Sequence, residues 1–191
     1  MNTLDIYRPL PSWFAHKPYG IHGIAHAARV LVWANRIGAQ LMMDRTDLNI
    51  EVVRWSAVLH DVGRLSDGWD AGHGARSAAW VVQHRDNLPV ALENEVIEQI
   101  QYCCQWHEIK DGDIPIMTQE LMCLKDADGL DRVRINDLNP DYLRTRPARL
   151  LVDQAWSLYR ASESANGSWR ALLKTARNGG YLDVAEAKRL T

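Results

Sequence analysis

The sequence predicts an all-helical, single-domain bundle. Apolar residues recur at spacings of three and four through most of the chain, and no run alternates with the period of two expected of a half-buried strand. The 191 residues, 47% of them apolar, amount to one domain with enough apolar matter to bury a core. No internal repeat breaks this unit into an array.

The elements follow in order. Tyr7 to Pro18 carries three prolines and the aromatics Tyr7, Trp13 and Phe14, so residues 1–19 are expected to form an irregular arm wrapping the domain. From His22 to Met43, residues His22, His26, Val30, Trp33 and Ile37 share one helix face. A second helix is expected over Glu51 to Val62, with Val53, Ala57, His60 and Asp61 inward. Gly63 to Gly74 is rich in glycine and reads as a loop. A third helix is expected from Ala75 to Asp86, facing inward through Ala75, Ala78, Ala79 and Val82.

Asn87 and Pro89 read as the start of a fourth helix, because asparagine caps well and proline is tolerated in a first turn. It carries Ile97, Ile100, Cys104 and His107 on one stripe and breaks at Asp111-Gly112-Asp113. A fifth helix, Thr118 to Arg132, aligns Leu121, Leu124 and Asp128. A second arm around Asn139-Pro140 and Arg146-Pro147 leads to helices over about residues 149–162, 167–177 and 183–190.

A net charge of -2 argues against a global field that would steer the chain onto nucleic acid or anionic lipid. The chain has no apolar run of bilayer length and no basic-then-apolar start, so a cytoplasmic protein is expected. Three cysteines, Cys103, Cys104 and Cys123, fit neither a disulfide framework nor a CxxC zinc pattern and read as core residues.

Four helices place a metal-type ligand on the stripe that also carries their core residues: His26, then His60 with Asp61, then His107, then Asp128. Polar groups on inward faces require partners, since an unpaired buried charge costs several kcal/mol. One ordinary alternative is histidines bonded to carbonyls and aspartates in salt bridges; a shared metal ion satisfies the whole set at once. Imidazole with carboxylate suits Zn, Mn, Fe or Co better than an all-oxygen calcium shell or a thiolate site.

In this ordered set the chain resembles the HD-domain metal-dependent phosphohydrolases. The match lies in His26 within IHGIAHAARV, His60-Asp61 within VLHDVGR, and Asp128 within KDADGLDR. It is most similar to small stand-alone HD proteins with the text IHG-x-x-H, HD-x-x-R-x-x-DG-x-D-x-x-HG and DAD-x-LD. The resemblance implies an HD domain over residues 20–150, with the helices of 151–191 packing on the same unit. It implies His26, His60, Asp61 and Asp128 as ligands of one ion, with Asp61, His60 and Asp128 at the reacting centre.

His73 and His107 occupy the places where two-metal HD proteins add histidines, so Asp61 would bridge to a second ion. The segment WHEIKDGDIP is similar to the HHE-x-x-DG-x-x-P stretch of related cyclic-dinucleotide phosphodiesterases, with Trp106 in place of a histidine. The cofactor expected is therefore one or two divalent ions, with Mn, Fe, Co, Ni, Zn and Mg left open. Arg29, Arg64 and Arg76 are candidates for a phosphate clamp, and His22 and Asp131 for supporting the ligands. The implied reaction is hydrolysis of a small anionic phosphorylated substrate, whether monoester, diester or nucleotide, by a metal-activated water. Nucleic acid and membrane are not expected partners, and homo-oligomers are left open. Two other readings stand beside it: a mixed-valent di-iron oxygenase, and a non-catalytic ligand-binding HD domain.

Overall fold

The structure, a computed structural model, describes residues 3–44, 47–163 and 167–182. Among them the regular elements are all helices and 3-10 turns: α1 (Ile24–Asp44), α2 (Ile50–Leu59), α3 (His73–Gln83), α4 (Asn94–Trp106), α5 (Gln119–Asp131), α6 (Arg146–Arg149), α7 (Val152–Ser162) and α8 (Trp169–Asn178). The expected all-α bundle is the observed one.

α1 is the axis. From His26 to Ile37 every side chain is buried, and it packs against α2, α5 and α8. Trp33 and Trp55 are buried to the last atom, and with Leu31, Ile37, Leu59 and Leu124 they fill the space between α1, α2 and α5. The three cysteines are buried, as expected of core residues. α2 and α5 begin at side-chain caps. Asn49 accepts from the backbone N–H groups of Glu51 and Val52, and Thr118 accepts from that of Leu121.

The N-terminal arm is more ordered in shape than proline content implied. It forms 3-10 turns at Thr3–Tyr7 and Pro11–Trp13, and Leu4, Tyr7 and Trp13 are buried in the core. The second arm likewise contains a 3-10 turn, Pro140–Tyr142, and the short α6, each with a proline in its first turn.

Several boundaries differ from expectation: α1 starts at Ile24 and leaves His22 in the turn before it, and α7 starts at Val152 behind the separate α6. α4 starts at Asn94, not near Asn87, which instead ends the 3-10 turn Arg85–Asn87. Leu88, held extended before Pro89, cannot enter a helix, and the chain runs on to an extended Glu93 that precedes α4. α3 starts two residues early, behind Gly72 in the left-handed region at φ 79°. Its buried stripe is therefore His73, Gly74, Ser77, Ala78 and Val81, while Ala75, Ala79 and Val82 face solvent. α2 ends at Leu59, so His60-Asp61 sits in the turn that follows it. The expected helix over 183–190 lies outside the described residues.

Two glycines fix how closely α3 approaches its neighbours. A Cβ on Gly63 would stand 2.5 Å from the Ser77 backbone nitrogen, and one on Gly74 would stand 2.8 Å from the carbonyl oxygens of Cys104 and Gln105. Neither position has room for a side chain.

Candidate metal centre

Five elements deliver the site. α1 brings His26, the turn after α2 brings His60 and Asp61, the first residue of α3 is His73, the residue after α4 is His107, and α5 brings Asp128. His26, His60, Asp61, His73 and His107 are all buried, and Asp128 is the most open, its side chain 27% exposed.

The four imidazoles are fixed in one sense. His26 Nδ1 donates to Asp131 Oδ2 at 2.7 Å, and His60 Nδ1 to the Ala57 carbonyl at 3.0 Å. His73 Nδ1 donates toward the Asp70 carbonyl at 2.7 Å with Glu108 Oε2 at 2.9 Å, and His107 Nδ1 donates to the Cys104 carbonyl at 2.7 Å. With the proton of each ring on Nδ1, each Nε2 carries a lone pair. Those nitrogens face each other in pairs, His26 with His60 at 3.1 Å and His73 with His107 at 3.0 Å.

Asp61 lies between the pairs with one oxygen turned to each. Its Oδ2 is 3.4 Å from His26 Nε2 and 3.6 Å from His60 Nε2; its Oδ1 is 3.2 Å from His73 Nε2 and 3.6 Å from His107 Nε2. Asp128 Oδ1 completes the first side, 3.4 Å from His26 and 3.9 Å from His60. Lone pairs and carboxylates turned toward one another with few protons between them form an arrangement that a cation satisfies. Two donors about 2.1 Å from one ion and at right angles lie about 3 Å apart, which is the spacing of both histidine pairs. The donor set fits divalent metal binding. Among the described residues, three overlapping groups of ligand atoms lie close enough together to share an ion: His22, His26 and Asp61; His26, His60 and Asp128; His60, Asp61 and His107.

The surroundings hold the anions ionised and one histidine neutral. Burial pushes Asp61 and Asp128 toward protonation, but the neighbouring histidines outweigh it, and both stay below the ordinary carboxylate range. Burial lowers His60 to about 3 despite the opposing pull of Asp61. His73 is raised: burial works against its charged form, and its contact with Asp61 more than reverses that.

Supporting residues separate into those at the centre and those tied elsewhere. Asp131, fully buried, accepts from His26 and also from Arg29 Nε at 2.5 Å and Nη2 at 3.1 Å. His22 Nδ1 lies between Arg134 Nη2 at 3.0 Å and Asp61 Oδ2 at 2.9 Å, in direct contact with the central carboxylate. Of the three arginines expected to clamp phosphate, Arg64 alone faces the centre, with Nε donating to Asp61 Oδ1 at 3.0 Å. Arg29 is engaged by Asp131 and by the Tyr159 ring. Arg76 ties the 63–72 loop together, donating to Gly63 O, Ala71 O and Asp70. Trp106 packs on the core beside Tyr102.

Two cations at the site went unnoticed in the sequence. Arg134 joins Asp131 to His22, and Lys125, buried on α5, reaches the turn that carries His107. Their one signal is position, Lys125 three residues before Asp128 and Arg134 three after Asp131. A cavity of about 710 Å³ opens beside the centre, with His107 and Asp128 in its wall, and with Lys125, Arg132 and Arg144 there beside Asp111 and Asp137.

A family model described as the HD domain matches residues 23–133, more than half of the chain. No curated protein and no solved structure matches it. The matched span begins just before His26 and ends just after Asp131, so it encloses every residue of the buried cluster except His22 and Arg134, and with that match the chain belongs to the HD domain family.

Proposed function

We propose that the protein is a divalent-metal phosphohydrolase that acts on a small anionic phosphorylated substrate. The observation that carries this reading is the division of Asp61 between two inward-facing histidine pairs beside an open cavity. His26, His60, Asp61 and Asp128 would hold a first ion, and Asp61, His73 and His107 a second. Held by those residues, divalent ions would supply a water of lowered pKa and positive charge to offset the negative charge developing on phosphoryl oxygens.

The chain's own residues supply the rest. Asp131 holds His26 with Nε2 inward, and the Ala57 and Cys104 carbonyls do the same for His60 and His107. The partly open Asp128 marks the side on which substrate reaches the centre, because it is both ligand candidate and cavity wall. Arg64, already against Asp61, is the clamp candidate nearest the reacting phosphoryl group. The cavity has the size of a small-ligand pocket, with basic and acidic side chains both in its wall.

The test is metal content followed by turnover. Protein reloaded separately with Mn, Co, Ni and Mg is assayed against phosphomonoesters, phosphodiesters and nucleotides, beside His60→Ala. Metal-dependent phosphate release that His60→Ala abolishes supports the reading. Two bound irons with an oxygen-dependent product would establish the oxygenase alternative instead. Bound metal with no turnover on any substrate, unchanged by His60→Ala, would leave a ligand-binding domain.

A further inference from the structure

The His73 and His107 pair is assembled by a single short turn, residues 107–109, immediately after α4. His107 supplies its own ring from that turn. Glu108 turns back to α3, where its carboxylate lies 2.9 Å from His73 Nδ1 and accepts from the Gly74 backbone N–H at 2.8 Å. Whatever fixes the turn therefore acts on both histidines, His107 directly and His73 through Glu108, beside the Asp70 carbonyl that also receives His73 Nδ1.

One side chain does so from outside. Lys125 Nζ donates to the carbonyl of His107 at 3.0 Å and to that of Ile109 at 2.5 Å, and lies 3.4 Å from Asp111 Oδ1. Its side chain is only 5% exposed, so its charge is met by the two carbonyls of this turn and by the Asp111 carboxylate just beyond it. The His107 carbonyl is one of those left without a helical partner where α4 stops, and a cation there also meets the negative end of the helix dipole. Lys125 stands on α5, one turn before Asp128.

We infer that Lys125 is the positioning residue of the second metal site, locking the His107–Ile109 turn, and through Glu108 the His73 ring, to the helix that carries Asp128. The inference rests on the two-ion reading proposed above. It also bears on Trp106, where related two-metal sequences carry a histidine: the second half of the centre is built by fixing two imidazoles rather than by adding a third.

The experiment is Mn²⁺ titration of chelator-stripped full-length protein by calorimetry, with elemental analysis and electron paramagnetic resonance of the loaded form. Wild type is expected to bind two ions and give a spin-coupled signal. Lys125→Met should weaken the second ion about 10- to 100-fold and give a mononuclear signal, with the first ion held as in wild type. Lys125→Arg, which keeps a cation within reach of the carbonyls, should recover part of the loss. Glu108→Gln should weaken the same ion through His73, and Lys125→Gln, which keeps a donor but not the charge, decides the matter if Lys125→Met does not fold. Two ions bound unchanged in these variants, or both ions weakened together, would overturn the role given to Lys125. A wild type that binds fewer than two ions would instead overturn the two-ion reading on which it stands.

Discussion

Removing the carboxylate of Asp131 tests the assembly from its most deeply buried point. That carboxylate is inaccessible to solvent and is shared by His26 Nδ1 and the Arg29 guanidinium, with Arg134 Nη1 at 3.6 Å. Asp131→Ala leaves a guanidinium and an imidazole N–H buried without their acceptor. Breaking a buried pair from one side costs about 3–5 kcal/mol. For a chain of this length about 2–4 °C of melting temperature accompanies each kcal/mol, so a fall of roughly 6–20 °C is expected in chelator-stripped protein. Asp131→Asn keeps the shape and one acceptor, so its melting loss should be smaller. Metal affinity should still fall about 10- to 100-fold, because the His26 ring loses its charged anchor. Thermal and urea unfolding, with and without metal, measure the first quantity, and calorimetric titration the second. Asp131→Ala melting within 2 °C of wild type, or Asp131→Asn binding metal as wild type does, would refute the reasoning.

Other outcomes follow from the same geometry. Divalent metal at about 100 times its dissociation constant should stabilise the fold by about 2.7 kcal/mol, seen as a chelator-reversible rise in melting temperature. Metal-free protein should lose stability as pH falls from about 6.5 toward 3, because His60, lowered to about 3, is protonated in the unfolded chain before the folded one. Asp61 and Asp128, lowered in the fold, add to that loss at the acid end, whereas His73, raised, opposes it by contributing stability below about 6.5 that fades at higher pH. Urea titrations across pH would show the net slope, and His60→Asn should flatten it. Gly74→Ala, which drives a methyl against the Cys104 and Gln105 carbonyls, should cost about 1–3 kcal/mol in urea unfolding and move His73 off its partner. Asn49→Ala, which uncaps α2, should cost about 1 kcal/mol by the same measurement and leave metal stoichiometry unchanged.

The helices were legible wherever apolar spacing dominates. The faces of α1 from His26 onward and of α4 appear in the structure as their spacing predicts, since burying a stripe leaves a periodic trace in sequence. α3 was misread by two residues because alanine is accepted on either face, so Ala75 and Ala79 looked inward when His73 and Ser77 set the register. The start of α4 was misplaced because a good cap followed by proline has the same text whether it opens a helix or closes a turn.

At the site, His26, His60, Asp61, His107 and Asp128 were legible as inward-facing polar groups and His73 through the family resemblance, and the structure brings the six together. The cations were not. Lys125 and Arg134 look like any surface lysine or arginine in one dimension, and only the folded chain reveals the carbonyls and carboxylates that receive them. Arg29 and Arg76 erred in the opposite direction. Nearness in sequence to a ligand says nothing of the acceptor that claims the guanidinium first.

α5 buries charge as other helices bury leucine. Lys125 holds the turn after α4, Asp126 accepts from the backbone N–H groups of Arg144 and Thr145, Asp128 faces the histidines, and Asp131 gathers His26 and Arg29. Replacing paired buried charges with well-packed apolar residues is a common way to make a domain more robust. Applied to this helix, that remedy would produce a hardier bundle with no centre left in it, so durability and chemistry compete for the same seven residues, Lys125 to Asp131. A screen for thermal resistance alone would drift toward inactive protein here first.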